Sequence, residues 1–279
     1  MNELAIDLSV AGESDRWMTF WRHSDDGYPL SVFVRMNNPT VQSLANNGII
    51  TGLRFDLTVE QVRDDGLPTD VGALQDLEER FLKELQLLDV GTLHLASVTG
   101  DGGRSVYLVH ERQIDLEPLI DLYSMPKLQI NASIISDRAK LLGLVSPTAV
   151  EQQLNGDLGI ISNLEKNGDD GAAARKTDFW FFGERSALEK LVVELQPWGY
   201  SIDHWLEEPI GVVLTTETAV DYGTFSKLTP KLVDASDRHQ VTYDGWETFV
   251  MPADTPAPKP PTKSLTNSIF GNLFGAKKN

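Results

Sequence analysis

The chain has 279 residues, no cysteine, and 41 acidic against 24 basic side chains, for a formal net charge of −17. The missing thiols exclude disulfides, thiolate metal sites and cysteine nucleophiles. The charge argues against nonspecific nucleic-acid binding, whose affinity comes from Lys and Arg on phosphates.

In chain order, Trp17 to Arg22 reads as a strand, Asp25-Asp26-Gly27 as a turn, and Leu30 to Met36 as a second strand with Val32, Val34 and Met36 on one face. Leu53, Phe55, Leu57 and Val59 alternate with polar residues, the period of a half-buried strand. Pro68 and Asp70 introduce a helix with the apolar stripe Leu74, Leu77, Phe81, Leu85 and Leu88, which Gly91 stops. Thr92 to Val98 and Ser105 to His110 flank the glycine-rich turn Gly100 to Gly103, a hairpin signal. His94 and His110 are expected to face each other across that hairpin. A short helix over Asp115 to Tyr123 and an alternating strand with Leu128, Ile130, Ala132 and Ile134 complete an α+β region over residues 1–145.

The second region, residues 146–251, opens with a helix carrying Val150, Leu154, Ile161 and Leu164, ended by Asn167 to Gly171. A strand follows over Thr177 to Phe182. Ser186 to Glu189 reads as a capping box opening a helix with Leu188, Leu191, Val192 and Leu195 inward, and Pro197 ends it. Strands over Tyr200 to Trp205 and Ile210 to Thr215, a helix with Phe225, Leu228 and Leu232, and a last strand over Val241 to Val250 follow. The order β-α-β-β-α-β is the ferredoxin-like plan, a four-stranded antiparallel sheet with two helices on one face. Gly245 interrupts the last strand's alternation and predicts a bulge at Asp244-Gly245.

Residues 252–279 form a third region. Five prolines between Pro252 and Pro261 predict an extended, structureless linker. Beyond it, Leu265, Ile269, Phe270, Leu273 and Phe274 mark a short amphipathic peptide followed by Lys277-Lys278, expected to dock on this chain or on another protein. This tail carries +3, and the body through Met251 carries −20. Residues 1–15 hold no apolar core of a signal peptide, and no apolar run is long enough to span a membrane, so the expected compartment is the cytoplasm, without stable membrane association.

The histidines form no His-x-x-x-His pair, and no phosphate loop or nucleophile elbow is present, so no cofactor or metal is expected. Asp169 and Asp170 between glycines fit a helix-ending turn, and as a cation site they lack EF-hand spacing. Phe179-Trp180-Phe181-Phe182 puts rings on both faces of its strand; stacking RNA there would need more Lys and Arg than Arg175, Lys176 and Arg185 supply. Trp246 reads either as a side chain packed over the sheet or as an anchor aimed at a partner. The acids Asp169, Asp170 and Asp244 and the aromatics Trp180, Trp205 and Trp246 make up the candidate partner-binding set.

Three segments of the second region resemble the family of regulators of ribonuclease E activity, type B: Asn163 to Asp170, the aromatic strand Asp178 to Phe182, and Tyr243-Asp244-Gly245-Trp246-Glu247-Thr248-Phe249. The resemblance implies a ferredoxin-like domain that inhibits a ribonuclease by binding it, without chemistry of its own. The best-known members carry an acidic C-terminal tail, and this chain carries a basic, proline-rich one. The first region, through Trp17 to Trp21, Asp26 to Leu30 and the Thr99 to Val109 hairpin, is similar to a bacterial domain family of unknown function, DUF695-like, often fused to the regulator domain. The expectation is a non-catalytic regulator that binds a ribonuclease or another protein with a basic segment, and no nucleic acid directly. The competing expectations are a hydrolase or nucleotide-handling enzyme with its site in the first domain, and an immunity or adaptor protein.

Overall fold

The computed structural model describes residues 16–251, which divide into two units inside one long helix, between Asn155 and Gly156. The first unit runs β1 (Arg16–His23), β2 (Pro29–Met36), α1 (Pro39–Asn47), β3 (Ile49–Leu57), α2 (Val71–Leu88), β4 (Leu93–Gly100), β5 (Gly103–His110), α3 (Glu117–Tyr123), β6 (Leu128–Ile134) and α4 (Arg138–Val145). Its six strands form one antiparallel sheet in the order β1-β2-β4-β5-β3-β6. The helices start where short polar side chains satisfy the first free amides: Asn38 accepts from Val41, Asp70 from Ala73 and Asp137 from Lys140. The β4-β5 hairpin turns through Asp101 and Gly102, both at positive φ, the geometry that matches strand twist.

Both faces of this sheet are covered. Val41 and Ala45 of α1 and Leu141 and Val145 of α4 pack with Met18, Val32, Val34 and Ile50. Leu74, Leu77 and Phe81 of α2 pack with Leu53, Phe55, Val106 and Leu108 on the other side. Two of these helices, α1 and α4, escape sequence reading: each is short, and Val41 and Ala45 alone define the buried face of α1. The expected His94–His110 pairing does not form. A register shift between His94 and Ala96 sets His94 opposite Leu108, while His110 pairs with Ile49 and bonds the Thr51 hydroxyl at 2.8 Å.

The second unit takes in the later part of α5 (Ala149–Lys166), then β7 (Arg175–Phe182), α6 (Arg185–Leu195), β8 (Ser201–Glu207), β9 (Ile210–Thr218), α7 (Tyr222–His239) and β10 (Thr242–Thr248). Its four antiparallel strands stand in the order β10-β7-β9-β8, the ferredoxin-like arrangement. Phe179 and Phe181 of β7, Leu188, Leu191 and Leu195 of α6, Phe225 and Leu232 of α7, and Val212 and Leu214 of β9 form the interior. The expected capping box at Ser186 is absent: α6 begins earlier, with Glu184 as an N-cap that makes no side-chain bond. Asp221 caps α7 by accepting from Thr224 at 2.8 Å, and Gln240 ends it in the left-handed conformation.

Candidate protein-binding face

The helices of the second unit cover one face of its sheet and leave the other open. Alternation along β7 sends Arg175, Thr177, Phe179 and Phe181 to the covered face and Lys176, Asp178, Trp180 and Phe182 to the open one. Register extends these positions across the sheet. Gly245, Trp180, Val213 and His204 form one row over β10, β7, β9 and β8, and Glu247, Asp178, Thr215 and Ser201 form the next. Glu217 stands opposite Lys176.

Trp180 and His204 flank Val213 with ring centroids 6.1 Å apart, edge to face, so Val213 is 1% exposed although its side chain belongs to the open face. On its other flank Trp180 meets Gly245, where an added Cβ would find nothing within 4 Å. A side chain at Gly245 would therefore meet no neighbour. The Trp180 Nε1–H is buried and has no acceptor among the described residues.

The face is acidic. Its ammonium, Lys176, lies 2.7 Å from Asp203 and 3.4 Å from Asp178. The hydrogen bond from Lys176 holds the Asp203 carboxyl below its ordinary range and raises the lysine in return. Glu247 moves the opposite way: burial pushes it up, and the neighbouring Asp178 carboxylate adds to the shift. Partial screening from water also raises Asp244. Burial of this kind disfavours the charged carboxylate, and at Glu247 His204 and Lys176 offset part of the rise.

The candidate residues read from sequence fall into two groups. Trp180 lies on the open face, half-buried, and Asp244 sits exposed in the bulge between Tyr243 and Gly245. Asp170 is exposed in the turn before β7, where its carboxylate accepts from Ala172 N–H at 3.0 Å. Trp205 points to the helix side, with the Arg185 guanidinium 3.4 Å above its ring. Asp169 and Trp246 are interior, each 1% exposed. Asp169 pairs with Arg175, whose Nη2 lies at 2.8 Å, and accepts from Gly171 and Met251 amides at 3.0 and 2.6 Å. Trp246 stacks on Phe225 at 4.2 Å and donates its Nε1–H to Asp157 at 2.8 Å. Asp157 also accepts from Thr229, and burial raises its carboxyl. Leu265, Ile269, Phe270, Leu273 and Phe274 lie outside the described residues.

Sequence reading passed over Asp178, Asp203, Glu217 and Glu247. For Asp178, Glu217 and Glu247 the signal was present, since each alternates with inward residues on its strand, while Asp203 sits at the register shift of β8. Without the pairing register, nothing marks those positions as one surface.

The first unit contains polar groups of another kind. Glu78 binds Arg104 and accepts from Ser97 Oγ at 2.8 Å, and Ser97 lies 2.8 Å from His94 Nε2. Ser97 is 0% exposed, so its hydroxyl is closed to any substrate. The network braces α2 against β4 and β5. Elsewhere in this unit a cleft of about 520 Å³ runs between the start of α3 and β6, lined by Thr51, Asp115, Glu117 and Ile134 among others. Among the described residues no cluster of three or more His, Asp or Glu is placed to hold a metal ion, and no helix is long and apolar enough to cross a membrane.

We found no match to the chain among curated proteins. Residues 156–248, from the middle of α5 to the end of β10, match the family described as Regulator of ribonuclease activity B, RraB.

Proposed function

We propose that this protein is a non-catalytic regulator that binds a ribonuclease, or another protein with a basic segment, through the open face of its second unit. The observation that carries the reading is an acidic, tryptophan-bearing sheet face in the segment that resembles the ribonuclease regulators. Trp180 supplies a large aromatic contact, and Asp178, Glu217, Asp244 and Glu247 supply the field that steers a cationic partner. Asp169 and Trp246 contribute from below, by holding β7 and β10 in place. The mechanism is occlusion of the partner's basic surface, and no bond is made or broken.

The test uses purified ribonuclease E and the full chain, with RNA cleavage and complex formation followed together at low and high salt. The reading expects complex formation that slows cleavage and weakens as salt rises. Trp180→Ala and Glu247→Lys should each cut affinity at least tenfold while circular dichroism stays unchanged. Salt-independent binding, or full binding by both variants, would sink it.

A further inference from the structure

The open face has a candidate occupant in the chain itself. The last described residue, Met251, is fixed by its N–H bond to Asp169, and Arg175 holds the Phe249 carbonyl at 3.2 Å. Both anchors lie where β7 begins, on its covered face, at the same end of the sheet as Lys176 and Glu217 on the open one. Trp180 is then four residues further along β7, about 13 Å at strand pitch. The linker 252–263 holds twelve residues, enough to reach up to ~40 Å. Every row of the face is within that reach. Residues 264–279 carry Leu265, Ile269, Phe270, Leu273 and Phe274, then Lys277 and Lys278, and no acidic side chain. The face offers the complement: the half-buried Trp180 indole, its Nε1–H unpartnered among the described residues, and carboxylates that outnumber the Lys176 ammonium.

We propose that segment 264–279 docks in cis on the open face of the β10-β7-β9-β8 sheet, with an apolar side chain against the Trp180 indole and Lys277 and Lys278 against Glu247 and Glu217. The tether raises the local concentration of the segment to the millimolar range, so a weak contact suffices to keep it seated. A basic protein partner has to displace it, and the segment thereby sets a threshold for partner binding. That consequence rests on the partner reading above. The docking does not, and its test contains no partner, so the two fail separately.

The probe is a fluorescein-labelled peptide of residues 264–279, titrated into two full-length chains: wild type, and a Phe270→Asp/Phe274→Asp chain whose own segment is disabled. The disabled chain should bind the peptide at least tenfold more tightly than wild type. Adding Glu247→Lys to it should cost at least tenfold in affinity. Should Glu247→Lys disturb the circular dichroism spectrum, the exposed Glu217→Lys carries the same test. The Trp180 indole N–H resonance, assigned with Trp180→Phe, should shift on peptide addition. Equal binding to both chains, no binding to the disabled chain, or binding indifferent to the lysine substitutions overturns the proposal. So does a concentration-dependent dimer of wild type that vanishes in the disabled chain, because the segment would then dock in trans.

Discussion

Asp169→Ala gives the sharpest test of how the second unit is held together. In the wild type the side chains of Asp169 and Arg175 are 0% and 1% exposed, and the carboxylate gathers two guanidinium bonds and the amides of Gly171 and Met251. Arg175 also donates to the carbonyls of Ala173 and Phe249. The pair thus joins the start of β7 to the chain leaving β10. Removing the carboxylate strands a buried cation, which costs about 3–5 kcal/mol. The buried Gly171 amide loses its acceptor as well, for about 1 kcal/mol more. A unit with roughly 5–15 kcal/mol to lose is brought to the margin. Replacing both partners together, as Asp169→Leu with Arg175→Met, should cost less than half as much, because no lone charge remains. Urea denaturation followed by circular dichroism reads the effect, with the unfolding of each unit fitted separately. The Arg175 hydrogen bonds hold the Asp169 carboxyl down to about 2. A depressed carboxylate stabilises the fold above its unfolded value and ceases to do so as pH falls through its folded one. The wild type should therefore lose about 2 kcal/mol between pH 4 and pH 2, and the double variant should not. A loss under 1 kcal/mol for Asp169→Ala at pH 7, or equal acid sensitivity in the double variant, refutes the reasoning.

Trp246→Phe keeps the stack on Phe225 but removes the donor to Asp157, and should destabilise the second unit by about 1–3 kcal/mol, read from the same urea curves; an unchanged midpoint would show that the bond is dispensable. Gly245→Ala meets no steric obstacle at φ +112 but must hold a conformation disfavoured for L-residues, so it should cost about 1–3 kcal/mol, read from the same urea curves. Burial lowers the His94 imidazole to about 4, with Glu78 opposing the shift. That group stabilises the first unit above pH 6.5, and the gain is lost as pH falls through 4; the amount is about 3 kcal/mol, and His94→Gln should flatten this part of the stability–pH curve.

Much of the second unit was legible because its signals are local. Phe179 to Phe182 alternate openly, and Gly245 marks the one place where the pattern breaks. What stayed hidden depends on partners distant in sequence. Asp169 sits in a Gly-Asp-Asp-Gly turn whose composition reads as surface, and only the fold brings the Arg175 guanidinium and the Met251 amide onto it. Asp157 looks like an ordinary helix-surface acid, yet it is buried against Trp246, 89 residues away. In the first unit, the Gly100–Gly103 turn sets a register one residue away from the expected histidine pairing, and the bulge in β4 adds a second step, so that His94 faces Leu108. The candidate face was readable residue by residue as outward-pointing acids, but strand order alone gathers them.

The extra residue in β10 has a consequence for how this protein can change over time. Tyr243 opposes Phe181 and Gly245 opposes Trp180, so Asp244 is the one residue of this stretch without a counterpart on β7. Deleting it would close the bulge and leave every pair in place, with Trp246 still opposite Phe179 and Glu247 still opposite Asp178, whereas losing any paired residue beside it would turn the rest of the strand inside out. Length is therefore free at this one position and guarded on either side of it, and homologous sequences should tolerate substitution or loss of Asp244 but no deletion among the paired residues Gly245 to Thr248.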